Sequence, residues 1–239
     1  MINLIITENV GAQENLLYVQ SAVSDIAVHA GCSVRLKNFG ERCVLEINYP
    51  ECYADIIKSE IVDKVSEVIA INYKYNFFKK RLKIAGLSNI EKEILVTSLI
   101  SADLEDDKKY SFYKLKSDSI IAVDGAFNFK LKALKKKWQD VLNCVPEYFL
   151  TTQLKDFISF LLENKKKRVY VEEGLVYDNH YRRLKRSSLL GGEAIKIVRE
   201  VLLSNCGEIE IKGSIPKEDE YYLKEFYTDK IIFSRGYIN

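Results

Sequence analysis

Apolar positions recur along this chain with two different periods, and the changes of period mark out its elements. Residues 2–7 (INLIIT) are a continuous apolar run of β-type residues and predict a buried strand. Over 12–30 the period is helical, with Leu16, Leu17, Val19, Val23, Ile26 and Ala27 on one stripe. Gly31 stands where a helix would end in a left-handed residue. The runs CSVRLKNF and RCVLEINY alternate on either side of a Gly-Glu pair, predicting a β-hairpin with Cys43, Leu45 and Ile47 on one face. Pro50 suits the first turn of a long helix, because its missing N–H costs nothing there. Ile57, Ile61, Val65, Val68, Ile69 and Tyr73 extend that helix toward Ala85, with Gly86 as its stop. Ser88 and Glu91 form a capping-box pattern ahead of Ile94, Leu95, Leu99 and Ile100. Ile120, Val123, Phe127, Leu131, Leu134, Trp138 and Val141 predict a helix over 118–142, broken by Pro146. A further helix over 147–163 carries Leu150, Leu154, Phe157, Ile158 and Leu161.

Beyond residue 163 the period returns to two. RVYVEE predicts a strand, and LVY and YRRL predict hairpin arms around Asp178–Asn179. Gly191–Gly192 precede a helix over 193–204 with Ile195, Val198, Val201 and Leu202 inward, stopped by Gly207. EIEIKG is a half-buried strand, Pro216 starts a helix through Tyr221, Tyr222, Leu223 and Phe226, and KIIFS is a last strand. A strand–helix–strand–helix–strand order favours a parallel or mixed sheet covered by helices. The expectation is an α+β protein: an N-terminal β-α-β-β unit (1–49), a helical region (50–163), and a C-terminal αβ unit with a mixed sheet (164–239).

Composition narrows the class. Of 239 residues, 47% are hydrophobic and 29% charged, with 15 Tyr and 11 Phe, so the chain can bury a core and disorder is not expected. The five cysteines form no C-x-x-C, and the opening MINLIITENVG has neither a basic n-region nor a long apolar run. These features predict a cytoplasmic protein with reduced thiols and no integral membrane association. The net charge of +2 is unevenly spread: residues 125–190 hold 14 Lys/Arg against 7 Asp/Glu. That asymmetry is the electrostatic hint of an anionic partner.

The densest basic stretch is LVYDNHYRRLKRSS, with five basic or imidazole side chains between residues 180 and 186. Candidate anion- or nucleic-acid-binding residues are Arg182, Arg183, Lys185 and Arg186, together with Lys135, Lys136, Lys166 and Arg168. Tyrosine beside arginine suits stacking on single-stranded bases. Alternation along a strand opposes a single patch, since Tyr181 and Arg183 would point one way and Arg182 and Leu184 the other. The bland reading is a solvated hairpin whose arginine stems cover apolar surface. His29, Cys32, Cys43 and Cys52 supply ligand types for tetrahedral zinc, but only one pair is closely spaced and Cys43 falls on the inward face. Cys144 or Cys206 could pair with His180, yet nothing in the sequence brings them together, so no catalytic residue is assigned. Neither a G-x-G-x-x-G nor a G-x4-G-K-[ST] loop occurs, and no cofactor is expected.

Three stretches resemble a known family. KDFISFLLENKKKRVYV (155–171), GAFNFKLKAL (125–134) and NCGEIEIKGSIPKEDEYYLKEFYTDKIIFSRG (205–236) are similar to segments of the YtxC-like sporulation proteins of endospore-forming bacteria. The resemblance covers residues 120–236, with Lys130 and Lys132 where the family pattern favours arginine. It implies a cytosolic protein of sporulating bacteria and supplies no catalytic residues. The expected role is therefore non-enzymatic, through a protein partner. The alternative is nucleic-acid binding through residues 130–186, and an enzyme would require a deep pocket lined by ionisable groups.

Overall fold

The computed structural model describes residues 1–234, and for residues 25–29 the backbone alone. The first segment runs β1 (Ile2–Asn9), α1 (Gln13–His29), β2 (Ser33–Phe39) and β3 (Arg42–Tyr49). It continues through α2 (Ala54–Val68), a π-helical turn at Ile69–Tyr73, and α3 (Lys74–Lys79). Then follow α4 (Asn89–Ala102), α5 (Leu104–Leu115), β4 (Ile120–Ala122), a single turn α6 (Val123–Gly125), a second π-helical turn at Ala126–Lys130, and α7 (Lys132–Asn143). The remainder comprises α8 (Thr151–Leu162), β5 (Arg168–Glu172), β6 (Leu175–Tyr177), α9 (Lys196–Ser204), β7 (Glu208–Lys212), α10 (Lys217–Tyr227) and β8 (Ile231–Ser234). The fold class is α+β, as the sequence predicts. Among the described residues no helix is long and apolar enough to cross a membrane.

The chain divides into two compact units, each built from two stretches of sequence. Unit 1 takes residues 1–77 and 104–142; unit 2 takes 78–103 and 143 onward. The helices between residues 50 and 163 are thus shared between both units. Each unit has its own four-stranded sheet.

In unit 1 the strand order is β2-β3-β1-β4. Alternation along β3 buries Cys43, Leu45, Ile47 and Tyr49, and the antiparallel register sets Leu4 opposite Ile47 and Ile6 opposite Leu45. The helix expected over 118–142 instead opens as β4, parallel to β1 with Ile6 opposite Ile121. Ile120, which a helical stripe would bury, is 62% exposed, while Ile121 beside it is buried. The long helix expected from Pro50 to Ala85 is also shorter: amides of Arg81 and Leu82 close its last turn on the Phe78 carbonyl. Ala85 is taken instead by backbone hydrogen bonds with Glu147 and Phe149 in unit 2.

Unit 1 is pinned by an ionic knot. Asp107, on α5, accepts Lys74 Nζ at 2.8 Å, Trp138 Nε1 at 2.7 Å and Lys137 Nζ at 2.6 Å. Both Lys74 and Asp107 are fully buried, so α3, α5 and α7 meet at one carboxylate.

In unit 2 the order is β6-β5-β7-β8, with β5, β7 and β8 parallel and β6 antiparallel on the edge. This is the mixed sheet that the alternation of strands and helices predicts. Ser88 and Glu91 do form the capping box at the start of α4, with bonds of 3.2 and 2.8 Å. Helix α8 begins at Thr151 rather than 147, because Tyr148 is held beside Ala85 in an isolated bridge. The turn that reverses the chain between β5 and β6 is Glu173–Gly174, with φ of +50° and +76°, a pair of the type I′ class that matches strand twist. Asp178–Asn179 lies one turn later, and YRRL returns beside β6 through a Tyr177–Arg183 bridge, a 2.8 Å bond from the Leu184 amide to the Val176 carbonyl and a 3.0 Å bond from the Asp178 amide to the Arg182 carbonyl. Helix α9 ends on the left-handed Asn205 rather than on Gly207.

Candidate functional site

The returning arm of unit 2 builds a cleft. Asp178 Oδ1 accepts the amides of His180 (2.8 Å) and Arg182 (2.9 Å), and Tyr181 adopts a left-handed φ of +55°. Side chains of aspartate commonly close a turn on amides two residues ahead. The chain therefore reverses sharply, runs back past β6 as Arg183-Leu184-Lys185, and enters a short 3-10 segment at Arg186–Leu190. Glu200, from the middle of α9, accepts the amides of Arg186 at 3.0 Å and Ser187 at 2.7 Å, fixing that segment against the helix.

Between these pieces lies a hollow of about 200 Å³. Leu175, Val176, Leu184 and Ile197 supply its apolar wall. Arg183, Lys185 and Lys196 supply its charge, and Glu200 is its one carboxylate. Burial pushes the Glu200 carboxyl above the usual range, opposed by hydrogen bonds from the Ser187 hydroxyl and from the two amides. The Ser188 hydroxyl donates to the Lys185 carbonyl at 2.6 Å. Lys196 also meets Glu193, whose side chain is 87% exposed. Lys196 enters the cleft because Gly191, Gly192 and Ile195 all have positive φ, which delays the helix until Lys196. A β-branched residue at φ +46° is an uncommon, strained choice. Asp219 from α10 accepts the Val198 amide at 3.0 Å and so caps the start of α9.

Of the residues singled out from sequence, the fold brings Arg183 and Lys185 into this cleft. Arg182 turns back onto Asp178 with its Nε 2.9 Å from Oδ2. Arg186 contributes its backbone amide, and its guanidinium reaches the Leu203 carbonyl at 3.4 Å. Arg168 pairs with Glu208 at 2.7 Å and with Glu210 at 3.6 Å. Lys166 is exposed just ahead of β5. Lys135 and Lys136 belong to α7 of unit 1, where Lys135 Nζ sits 4.9 Å from the Phe127 ring centre and Lys136 is exposed. Tyr181 stacks on Tyr170 at 4.8 Å, and Lys212 Nζ donates to its hydroxyl at 2.6 Å, so one face of the ring is already covered. Lys196 lies outside the basic stretch, and one cation on the polar face of an amphipathic helix carries no signal of its own in the sequence.

The cysteines are dispersed in role. Cys43 is sealed in the core of unit 1, Cys32 is half-buried and Cys52 is exposed. The side chain of His29 lies outside the described residues. Among the described residues no three His, Cys, Asp or Glu side chains converge as they would around a metal ion.

A second polar cluster lies in unit 1 at the carboxyl end of β1. Glu8, fully buried, accepts the Tyr73 hydroxyl at 2.6 Å, the Asn9 amide at 2.9 Å and Asn15 Nδ2 at 3.4 Å. Burial holds its carboxyl above the usual range, and burial and the adjoining carboxylate raise Tyr73 far above its own. Nearby, Arg42 clasps Asp124 through bonds of 2.7 and 2.9 Å and holds that carboxyl below the usual range. Each of these polar groups is satisfied within the cluster, which reads as a structural joint.

Compared with family models, with curated proteins and with solved structures, the chain matches none.

Proposed function

We propose that this chain is a non-enzymatic binding protein of the YtxC-like sporulation type, and that the cleft of unit 2 takes an acidic group of a protein partner. The observation that carries this reading is the lining: three cations surround a small hollow whose one carboxylate is already engaged by two backbone amides. Size supports a side chain over a nucleotide, because 200 Å³ falls short of the roughly 300–1,000 Å³ of small-molecule pockets. Nucleic acid, the alternative, is less well served. A strand needs several phosphate contacts in a row, and the hollow is small.

Fluorescence anisotropy of the full chain with labelled hexaglutamate and with a labelled single-stranded oligonucleotide tests the reading. Hexaglutamate is expected to bind, to weaken with salt, and to lose about tenfold or more in affinity in the Arg183→Ala/Lys185→Ala/Lys196→Ala variant. Binding by the oligonucleotide alone, abolished in the same variant, would overturn it in favour of nucleic acid. The sporulation assignment rests on the sequence resemblance, and a protein level that is constant through vegetative growth would count against it.

A further inference from the structure

We infer that unit 1 carries a separate interaction surface, at the start of α7, and that its partner is an anionic lipid surface. Two helices place it. Asp107 of α5 meets Lys137 of α7, and Asp118, just after α5, meets Lys130, just before α7, so the two helices run antiparallel. Leu131, Leu134, Trp138 and Leu142 turn inward, which leaves Lys132 and Lys136 on the outward side of α7. Ahead of α7, the π-helical turn bonds the Leu131 amide to the Ala126 carbonyl, five residues back, at 3.1 Å. Phe127 packs inward, its ring centre 4.7 Å from that of Tyr73 and 5.7 Å from that of Trp138, while Phe129 stands out in solvent, 76% exposed. The exposed Ile120 lies on the segment that the Asp118–Lys130 pair ties to this turn.

Charge is polarised along this helix pair. Glu105 and Asp106 at the start of α5 and Asp140 near the end of α7 share one end. The other end, with Phe129, carries Lys114, Lys132, Lys135 and Lys136. The acids at that end are already engaged, Asp118 by Lys130 at 2.6 Å and Asp124 by Arg42 at 2.7 Å. Lys137 is not counted, because Asp107 holds it. Lys114 Nζ rests 5.6 Å from the Tyr110 ring centre, and Lys135 Nζ lies 4.9 Å from that of Phe127 and 3.4 Å from the Asn128 carbonyl. Among the described residues none of these four lysines forms an ion pair with an acid.

The kind of cation and the exposed apolar groups choose the partner. From residue 108 to 137 every basic residue is a lysine. Ammonium groups on flexible stems are point charges suited to the diffuse field of an anionic bilayer, whereas the arginine fork suits discrete phosphates. A phenyl ring stacks on a base as readily as it enters a bilayer, but an isoleucine gains only from the bilayer. A basic patch joined to an apolar anchor holds a protein reversibly at a membrane surface without crossing it.

Co-sedimentation of the full chain with vesicles tests the surface. Binding is expected to vesicles of phosphatidylcholine mixed with phosphatidylglycerol, to weaken with salt, and to be absent on phosphatidylcholine alone. Lys132→Ala/Lys135→Ala/Lys136→Ala should lose about a hundredfold in affinity, since each lysine near the surface contributes roughly a factor of five. Phe129→Ala should lose about tenfold. In Phe129→Trp, binding should move the emission to the blue; the wild type, whose Trp138 is fully buried, supplies the blank. Full binding by Phe129→Ala, with no blue shift in Phe129→Trp, would overturn the inference, as would equal binding to both kinds of vesicle. Vesicles left unbound, with a single-stranded oligonucleotide bound and then lost in the triple lysine variant, would overturn it in favour of nucleic acid. No binding to either probe overturns it outright. The Arg183→Ala/Lys185→Ala/Lys196→Ala variant of unit 2 separates the two readings, because it should lose hexaglutamate and keep the vesicles. Vesicle binding lost in that variant instead would move the lipid contact away from α7 and overturn the inference.

Discussion

Replacing Asp107 by Asn is expected to destabilise unit 1 by about 3–5 kcal/mol, the usual cost of breaking a buried ion pair by removing one of its charges. The substitution keeps the shape and removes the charge. Lys74 is fully buried, and Asp107 Oδ2 lies 2.8 Å from its ammonium group. The amide nitrogen of an asparagine would meet donors on both sides, because Trp138 Nε1 and Lys137 Nζ also point at this carboxylate. The expected result is a lower denaturant midpoint with faster amide exchange in α3, α5 and α7. Adding Lys74→Met to the variant should recover much of the loss, since an apolar chain of similar length needs no counter-charge. A loss below about 1 kcal/mol in the single variant would mean that the knot contributes little beyond its packing.

The second large effect is expected at Gly207. A Cβ at this position would lie 1.9 Å from the Lys165 carbonyl oxygen and 2.7 Å from its carbon. Both are backbone atoms, so no side-chain rotation relieves the clash. The amides of Gly207 and Glu208 both donate to the Lys167 carbonyl, at 2.9 and 3.2 Å, so the two stretches cannot part without breaking the start of the β5–β7 pairing. Gly207→Ala should cost about 3 kcal/mol or more in unit 2. Gly213→Ala is the control. Its Cβ would meet nothing within 4 Å, and only the positive φ of +79° opposes it, so about 1 kcal/mol is expected. Equal losses in the two variants, read by chemical denaturation, would show that backbone conformation and not crowding makes Gly207 necessary.

Gly207 also illustrates what could be read from sequence. Its presence after a helical stripe reads as a helix stop, and the helix does stop nearby, yet the residue is needed for a close approach to a segment 42 residues earlier. Periodicity recovered elements whose pattern is long and whose partners are local: α1, the β2–β3 hairpin, the capped start of α4, and the β5, β7 and β8 strands. It failed at β4, where three residues fall within a helical spacing and only the register on β1 makes Ile121 the inward one. The turns at Glu173–Gly174 and Tyr181 escaped because neither Glu nor Tyr advertises a left-handed conformation. The cleft was half visible. Arg183 and Lys185 stand in the basic stretch, but Lys196 joins them only through the return of the chain onto α9, which no local pattern encodes.

The interleaving of the two units has a consequence for the growing chain at the ribosome. Unit 1 lacks its last helix until residue 142 has been made, 65 residues after its first stretch ends at residue 77. At about 5–20 residues per second that is a wait of roughly 3–13 s, and until residue 122 is made one edge of β1 still lacks β4. Helix α4 waits longer. Its apolar residues Ile94, Leu95, Leu99 and Ile100 pack within unit 2, where α4 meets α8 and α9, and α9 ends at Ser204. Until α8 and then α9 have been made, a nascent chain carries an apolar helix ahead of the surfaces that cover it, which makes the stretch from residue 89 to 102 the natural point of engagement for a chaperone during synthesis.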